Sequence, residues 1–371
     1  MRPLEGLRVL DFSTLLPGPL ATLLLAEAGA EVIKIERPGE GDGMRGYPPK
    51  LGTESLSFAL LNRGKRSLAI DLKDPEETAR LLPLVAEAQV LVEQFRPGVM
   101  DRLGLGWDAL KKVNPALVYC AITGYGQSGP KAQDAGHDLT YLAETGLLAL
   151  AADADGAPVV PPGLIADIGG GSLPAVIDIL LALRRAEATG EGCYLDVAMC
   201  DNLFAWQFWA QAQLAAGAGP PRPGGELLTG GSPRYQIYRT ADGRFLAAAP
   251  LEQKFWETFC RLIDLPEALR DDTKDPDATK RAVAEIIATQ PAGHWQGLFA
   301  GKDACCALVR PLEAALEDPQ FTALGQFAAE LSCGRVTLPA LPLPLAPALR
   351  AAPGTKESPA LGEARGLLED G

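Results

Sequence analysis

The chain has 371 residues, more than a single hydrophobic core usually supports, so two domains are expected. Apolar residues make up 47% and charged residues 22%, an ordinary composition for a globular protein. The net charge of −13 argues against a general binding surface for nucleic acid or anionic membranes, although a local basic cluster can still bind an anionic small molecule.

The cysteines and the N-terminus indicate the cellular compartment. Seven cysteines, an odd number with irregular spacing, do not suggest the disulfide framework of a secreted protein. The first residues lack the basic and apolar regions of a signal peptide, and no run of about 18 uncharged apolar residues occurs. Cys305 and Cys306 are adjacent and lack zinc-site spacing, and only two histidines are present. We therefore expect a cytoplasmic protein with no metal, nucleic-acid or membrane partner.

Short apolar segments alternate with amphipathic segments in the first third of the chain. The predicted strands are residues 7–12, 31–35, 67–72, 90–95 and 117–123, and the predicted helices are residues 20–28, 74–88 and 107–113. Pro17 and Pro19 end the first apolar run before the first predicted helix. Asp74 is the predicted cap of the second helix, with Pro75 at its first helical position. Strands that alternate with helices indicate a parallel sheet covered on both faces, so the predicted fold class is α/β.

The second half of the chain contains a predicted domain boundary. Two helices are predicted at 172–188 and 197–215, followed by a proline- and glycine-rich linker at 217–225. A hairpin then turns at Asp242-Gly243, and a mainly helical stretch continues to about residue 327. Residues 338–353 are proline-rich and resemble an extended strap lying across a partner surface. We predict a large domain of residues 1–216, completed by 328–371, and a small α+β domain of residues 226–327.

Two ionisable residues lie in glycine-rich surroundings. His137 is one of only two histidines and stands between Gly136 and Asp138, while Asp167 precedes a run of three glycines. Imidazole can both accept and donate a proton near neutral pH, so a histidine and a carboxylate suggest an acid/base pair. The first strand is not followed by G-x-G-x-x-G, and the chain has no P-loop and no G-x-S-x-G motif, so a dinucleotide site is not indicated.

Several ordered motifs resemble those of a known family. They are LEGLRVLD at 4–11, GAEVIKIE at 29–36, NRGKRS at 62–67, RPG at 96–98, RLG at 102–104 and GYG at 124–126. Together they resemble the class III CoA transferases (CaiB/BaiF), a group that also contains the α-methylacyl-CoA racemases. The resemblance extends to about residue 320. It implies a Rossmann-like domain, a smaller domain and an interlaced homodimer whose active site lies between one chain's large domain and its partner's small domain.

The resemblance also implies roles for particular residues. The transferases use the aspartate matching Asp167 as a nucleophile that forms a mixed anhydride. The racemases keep that aspartate and add a histidine matching His137, a glutamate matching Glu252 and a tyrosine matching Tyr235. The histidine, aspartate and glutamate occur here in family order, which favours the racemase branch. Glu252 would set the tautomer or basicity of His137, and Asp138 would assist.

Chemical reasoning agrees with the racemase interpretation. The proton α to a thioester carbonyl is weakly acidic, so its removal needs a placed base and stabilisation of the enolate oxygen. Inversion is simplest with one base on each face, here His137 and Asp167. The amides of Gly169, Gly170 and Gly171, at the start of a predicted helix, are expected to bind the enolate oxygen. No cofactor is needed, because coenzyme A is part of the acyl-CoA substrate.

The coenzyme needs cations for its phosphates and an apolar slot for its adenine. By resemblance the cations are Arg37, Lys73, Arg96 and Arg102, and Phe95 lies beside the adenine. Arg37 directly follows a predicted strand, where open α/β sheets bind ligands.

The predicted function is epimerisation of 2-methylacyl-CoA thioesters. With only four methionines, a methionine-lined acyl surface is not indicated. The alternatives are a CoA transferase with Asp167 as nucleophile and a non-catalytic acyl-CoA-binding protein. His137 as a loop residue, Asp167 as a helix cap, Glu252 as a solvated side chain and Tyr235 as a packing residue remain the simpler structural interpretations. The aromatic residues Phe204, Trp206, Phe208 and Trp209 are expected in a helix core or a dimer contact.

Overall fold

The computed structural model describes residues 2–153, 155–334 and 336–368. The chain forms two compact units. The first comprises Met1–Thr145, Pro161–Trp206 and Gln320–Gly371, and the second comprises Gly146–Val160 and Gln207–Pro319. The change of unit after Trp206 lies upstream of the predicted linker at 217–225, and residues 146–160 pack with the second unit.

The strands and helices are numbered in chain order. The strands are β1 Arg8–Asp11, β2 Glu31–Glu36, β3 Lys50–Leu51, β4 Glu54–Ser55, β5 Arg66–Ala69, β6 Val90–Glu93, β7 Val118–Thr123, β8 Cys193–Ala198, β9 Gln236–Arg239, β10 Phe245–Ala248, β11 Cys306–Leu308, β12 Glu330–Cys333, β13 Val336–Pro339 and β14 Thr355–Glu357. The helices are α1 Pro17–Glu27, α2 Leu56–Asn62, α3 Pro75–Ala79, α4 Leu82–Glu87, α5 Val99–Arg102, α6 Trp107–Val113, α7 Asp138–Glu144, α8 Leu173–Thr189, α9 Met199–Leu203, α10 Phe208–Ala215, α11 Gln253–Leu262, α12 Pro276–Ile287, α13 Ala292–Phe299, α14 Leu312–Leu316 and α15 Pro319–Ala323. A π-helix, Ala166–Ser172, leads directly into α8.

The first unit is built on a parallel sheet, which confirms the predicted α/β class. Its strand order is β5-β2-β1-β6-β7-β8, and every neighbouring pair is parallel. β7 is buried along its whole length, as expected of a strand covered on both faces. Because the strands are parallel, their carboxyl ends lie along one edge, where open α/β sheets bind ligands.

Helix α1 begins earlier than predicted. It starts at Pro17, whereas the sequence prediction begins the helix at residue 20 after the prolines. Proline is tolerated in the first helical turn because the amide hydrogens there have no partner within the helix. All eleven residues of α1 are buried.

The predicted helix 74–88 is two helices. The Asp74 side chain accepts a hydrogen bond from the Glu76 amide (2.9 Å), which confirms the predicted cap. The first helix, however, ends at Ala79, and α4 begins at Leu82 with Pro83 in its first turn. Because proline has no amide hydrogen, Pro83 is better placed at the start of a new helix than inside a continuous one.

The predicted helix 197–215 is wrong at its start. Val197 and Ala198 are the last residues of β8, where they pair with Ile122 and Thr123 of β7. Only α9 and α10 are helical in the rest of this segment, joined by a 3₁₀ turn over Phe204–Gln207. The β8 pairing is tertiary, so local sequence preference did not indicate it.

The C-terminal strap lies on the chain's own first unit. Leu341, Leu343 and Leu345 pack in one apolar cluster with side chains of α1 and α2. The Arg63 guanidinium donates a hydrogen bond to the Leu341 carbonyl (2.8 Å). The predicted position across a partner surface is therefore corrected, since these leucines bury their side chains within the same unit.

The second unit contains the predicted hairpin. β9 and β10 are antiparallel, and Gly243 in the turn between them has a φ of +77°, a conformation that favours glycine. β11, which the helical prediction missed, pairs with β10. Trp256, Phe259 and Phe299 stack on one another in the core below.

One described helical stretch, Ala166–Thr189, is long and apolar enough to cross a membrane, and 50% of its most apolar window is buried. Its buried side packs against α1 and β7 in the first unit.

Candidate active site

His137 lies in the segment that follows β7, immediately before α7. Its backbone amide donates to the Thr140 hydroxyl (2.9 Å), and its carbonyl accepts from the amides of Thr140 (2.8 Å) and Tyr141 (3.1 Å). The imidazole is exposed. The backbone of His137 is thus fixed by the first turn of a helix, while its ring remains open to a ligand.

Asp167 is the second residue of the π-helix and is half-buried. Burial, together with the charge of Asp138 and against the opposing charge of His137, raises the pKa of its carboxyl to about 6. The structure therefore brings the two predicted proton-transfer groups near enough to act on each other. A carboxyl that titrates near neutrality can both accept and donate a proton.

Asp138 is 6% exposed and accepts hydrogen bonds from two backbone amides. Its Oδ1 receives the amide of Ala166 at 2.7 Å and the amide of Asp167 at 3.0 Å. Side-chain oxygens commonly satisfy such helix-start amides, but the cap usually comes from the preceding residue. Here it comes from the first residue of α7.

The glycine run does not present amides to a ligand as predicted. Gly169, Gly170 and Gly171 are buried inside the π-helix, and the amides at its beginning belong to Ala166 and Asp167. A side chain on Gly170 would place its Cβ 2.5 Å from the Met199 carbonyl oxygen. The glycines are needed for close packing against α9, so the expectation that their amides bind an enolate oxygen does not fit the structure.

Tyr141 is a site residue that sequence reasoning missed. It lies one helical turn after Asp138, is buried, and packs edge-on against Tyr125 with ring centroids 5.4 Å apart. Its ring lies directly on Gly124 and Gly136, where added side chains would overlap it. Burial and the charge of Asp167 raise the pKa of Tyr141 to about 12, so its hydroxyl stays protonated. The i, i+3 spacing of Asp138 and Tyr141 was the available signal.

Glu252 and Tyr235 belong to the second unit. Glu252 is exposed immediately before α11, and its carbonyl accepts from the amides of Phe255 and Trp256. Tyr235 is 39% exposed, immediately before β9. Their approach to His137 stays a prediction.

The predicted coenzyme contacts follow the carboxyl ends of three sheet strands. Arg37 follows β2, where it pairs with Glu40 and donates to the Gly41 carbonyl (3.1 Å). Lys73 follows β5, and its amide donates to Asp71 (3.0 Å). Both side chains are exposed at the edge where the sheet is expected to bind ligands.

Phe95 and Arg96 follow β6, and Arg102 ends α5. Phe95 is half-buried against the core, while the two arginines are exposed. The Phe95 amide donates to Glu93 (2.7 Å), a buried carboxyl whose pKa burial raises to about 7. The two arginines and Phe95 lie within one short segment, as the resemblance implies.

A buried ionic cluster lies below this edge and was not predicted. Lys65 pairs with Asp11 at the end of β1 (3.0 Å), and Lys34 pairs with Asp42 (2.9 Å). Asp42 also accepts the amide of Leu15, a non-glycine residue with a φ of +61°. The cluster stabilises the loop between β1 and α1. Among the described residues, no group of three or more His, Cys, Asp or Glu side chains could hold a metal ion.

Comparisons with known proteins give a consistent result. A model described as CoA-transferase family III matches residues 4–365. The human α-methylacyl-CoA racemase is 33% identical over 367 residues, covering 97% of this chain and 91% of the racemase. The human succinyl-CoA:glutarate CoA-transferase is 32% identical over 329 residues, covering 86% of this chain and 74% of the transferase. The crystal structure of Rv3272 from M. tuberculosis has a TM-score of 0.84 and 29% identity, with 99% of both chains covered.

Proposed function

The chain belongs to CoA-transferase family III, and we propose that it is an isomerase that epimerises the α-carbon of 2-methylacyl-CoA thioesters. The observation that supports this most directly is that the segment carrying His137 is hydrogen-bonded to the helical turn carrying Asp167, since Asp138 Oδ1 accepts the Asp167 amide at 3.0 Å. The backbone of His137 is fixed by the first turn of α7, and the charge of its imidazole opposes the burial that raises the pKa of the Asp167 carboxyl to about 6. The similarity to the human racemase over 97% of the chain supports the same reaction.

The reaction is a two-base proton transfer. One group removes the α-proton while the C–H electron pair moves into the thioester, which forms an enolate. The other group, already protonated, delivers its proton to the opposite face of the same carbon. His137 and Asp167 exchange these roles according to the epimer bound, because each can accept and donate a proton near neutral pH.

The remaining predicted residues have supporting roles in this proposal. Arg37, Lys73, Arg96 and Arg102 bind the phosphates of the coenzyme, and Phe95 contacts its adenine. Glu252 acts on His137, and Tyr235 lines the acyl site. The proton transfer requires no separate cofactor, since coenzyme A enters as part of the substrate, and we propose that the enzyme works in the cytoplasm as a homodimer.

A CoA transferase is the second candidate, because transferases are similar to this chain almost as closely as racemases are. In that reaction Asp167 attacks the thioester carbonyl, the C–S bond breaks, and the coenzyme leaves as a thiolate. The thiolate then attacks the aspartyl carbonyl of the anhydride, which releases the first carboxylic acid and leaves an aspartyl-CoA thioester. The carboxylate of the second acid displaces the thiolate from this thioester to form a new anhydride, and the thiolate attacks the acyl carbonyl of that anhydride, which forms the second acyl-CoA and regenerates Asp167. A covalent adduct of this kind is trapped by hydroxylamine.

Deuterium exchange distinguishes the two reactions. Purified protein is incubated with (R)- or (S)-2-methylacyl-CoA in deuterated water without an acceptor acid, and mass spectrometry follows deuterium at C2. We expect deuterium gain with loss of chirality. We expect His137→Ala to lower the exchange rate by about 100-fold or more, as for loss of a general acid/base group.

The matched control is His294→Ala, which removes the chain's other histidine, from α13. This variant should exchange at the wild-type rate. Absence of exchange, with CoA transfer once carboxylic acids are added, would establish the transferase instead. Exchange at an unchanged rate in His137→Ala would refute the two-base assignment, and any exchange at all excludes a non-catalytic acyl-CoA-binding protein.

A further inference from the structure

One buried carboxylate connects the two helices that carry the proposed proton-transfer groups. Asp138 begins α7, directly after His137, and its Oδ1 accepts the first two amides of the helical turn that holds Asp167. Asp138 lies 28 residues before Ala166 and 29 residues before Asp167 in the sequence. Ile165, the residue before this helix, makes no side-chain cap hydrogen bond, so the Asp138 carboxylate supplies the side-chain cap and joins the two helices.

The same oxygen is already occupied by two hydrogen bonds. Oδ1 receives two N–H donors at 2.7 and 3.0 Å, and an oxygen that accepts both bonds must present its lone pairs to them. The residue is also buried, whereas the imidazole of His137 beside it is exposed. Its chemistry is therefore that of a hydrogen-bond acceptor.

We propose that Asp138 is a positioning residue whose carboxylate joins α7 to the helix carrying Asp167 and thereby sets the separation of His137 and Asp167. The inference rests on the proposed function, because that separation matters only if the two groups share a substrate proton. A small displacement between reacting groups reduces the rate strongly even when binding is unaffected.

The charge of Asp138 gives the proposal a direct readout. Among the groups around Asp167, the charges that shift its pKa are those of Asp138, which raises it, and His137, which lowers it. The other titratable or charged groups on the elements packed against this helix are Tyr141 and Glu144 of α7, Glu27 at the far end of α1, Asp178, Arg184, Arg185 and Glu187 of α8, Cys200 and Asp201 of α9, and Cys193, Tyr194 and Asp196 of β8.

The decisive variant is Asp138→Asn. The asparagine carbonyl still accepts the two amides, so the fold and the affinity for acyl-CoA should change little. Its charge is gone, so the pKa of Asp167 should fall from about 6 by roughly one pH unit. Carbon-13 NMR of the labelled Asp167 carboxyl measures this directly, and the acid limb of the exchange rate should move to lower pH by the same amount.

Asp138→Ala removes both the acceptor and the charge. We expect the exchange rate to fall by about 100-fold with KM changed less than threefold, because the coenzyme contacts are elsewhere. Glu144→Gln is the matched control, since Glu144 is an exposed acidic residue on the same helix that pairs with Lys131. It should alter neither the titration of Asp167 nor the exchange rate.

The possible failures are distinguishable. A wild-type exchange rate in a folded Asp138→Ala would overturn the positioning role of Asp138. An Asp167 titration that is identical in the wild type and Asp138→Asn would overturn the placement of the Asp138 carboxylate beside Asp167, whatever reaction the enzyme performs. If Asp138→Ala does not fold, the asparagine variant alone decides. If NMR shows the expected decrease in the pKa of Asp167 in Asp138→Asn but the wild type exchanges no deuterium, the result would instead contradict the proposed racemase reaction.

Discussion

Asp11 shows how this protein keeps a charge in its interior. Burial alone would raise the pKa of its carboxyl, but the charges of Lys65 and Lys34, with hydrogen bonds from Ser13 and Thr22, lower it to about 2. The ordinary value is 3.8, so the unfolded chain takes up this proton first as the pH falls. The stabilisation is complete above about pH 4 and is lost between about 4 and 2.

Removing the partner of Asp11 should be strongly destabilising. In Lys65→Met the Asp11 carboxylate stays fully buried but loses the Lys65 ammonium group, which lies 3.0 Å from it in the wild type. We expect the free energy of unfolding at pH 7 to fall by about 3 kcal/mol, because the desolvation cost of the charge is no longer offset. Urea titration followed by circular dichroism measures it.

Lys112→Met is the matched control for this prediction. Lys112 is exposed in the last turn of α6, and an exposed charge contributes little to stability. A loss equal to that of Lys65→Met would show that removal of positive charge in general, and not the buried pair, is responsible.

The sequence predicts which residues can transfer protons better than it predicts which side chains contact each other. His137 and Asp167 are recognisable because a rare histidine and a glycine-flanked carboxylate are unusual locally. The Asp11–Lys65 pair was not recognisable, because it joins residues 54 positions apart in the chain, and Tyr141 offered only its i, i+3 spacing from Asp138.

Gly170 illustrates what a helical element requires of its sequence. It has no positive φ, so its backbone conformation does not need glycine, but its position against the Met199 carbonyl leaves no room for a side chain. The π-helix and α9 can approach this closely only because the first lacks side chains on that face.

Gly170→Ala is therefore expected to destabilise the first unit. The added methyl must displace backbone atoms, and overpacking of this kind costs about 1–3 kcal/mol. Gly297→Ala in α13 is the matched control, because nothing lies within 4 Å of the added carbon. That variant should be neutral or stabilise the protein by up to about 1 kcal/mol, since alanine favours the helix. Thermal unfolding of both variants tests the difference, and equal behaviour would contradict the packing argument.

Elements with a strong local signal were the predictable ones. α6 matches its predicted range, and the Asp74 cap and the β9–β10 hairpin were also identified. β8 was missed because its pairing with β7 outweighs the local pattern, and the break at Pro83 was missed because proline is acceptable both inside a first turn and after a helix end.

The whole molecule leaves apolar side chains exposed. Three of them lie on α8: Ile177, Leu180 and Leu181. A second group is aromatic: Phe204, Trp206, Phe208 and Trp209. The aromatic group was expected in a helix core or a dimer contact, and its exposure favours the second. Apolar patches of this kind often mark surfaces that bind another chain.

We therefore expect a homodimer in solution. Sedimentation equilibrium should give twice the mass of one chain at micromolar concentration. Leu181→Lys places a charge on a side chain that is 66% exposed and should weaken the dimer at least tenfold. Glu187→Lys, exposed on the same helix, should leave the dimer intact. A monomeric wild type would contradict the expectation.

The route of the chain through the first unit has a consequence for folding during synthesis. The Ala364 amide donates to the Ser67 carbonyl (2.8 Å), and the Gly64 amide donates to the Glu357 carbonyl (2.8 Å). These contacts join positions separated by almost the whole length of the chain, and contacts of that kind form late. The second unit ends at Pro319, so all of its residues are synthesised before β14, the last strand of the first unit. Until residues 341–345 are made, the side chains of α1 and α2 that pack against Leu341, Leu343 and Leu345 lack this cover, and we expect chaperones to bind that apolar surface during synthesis.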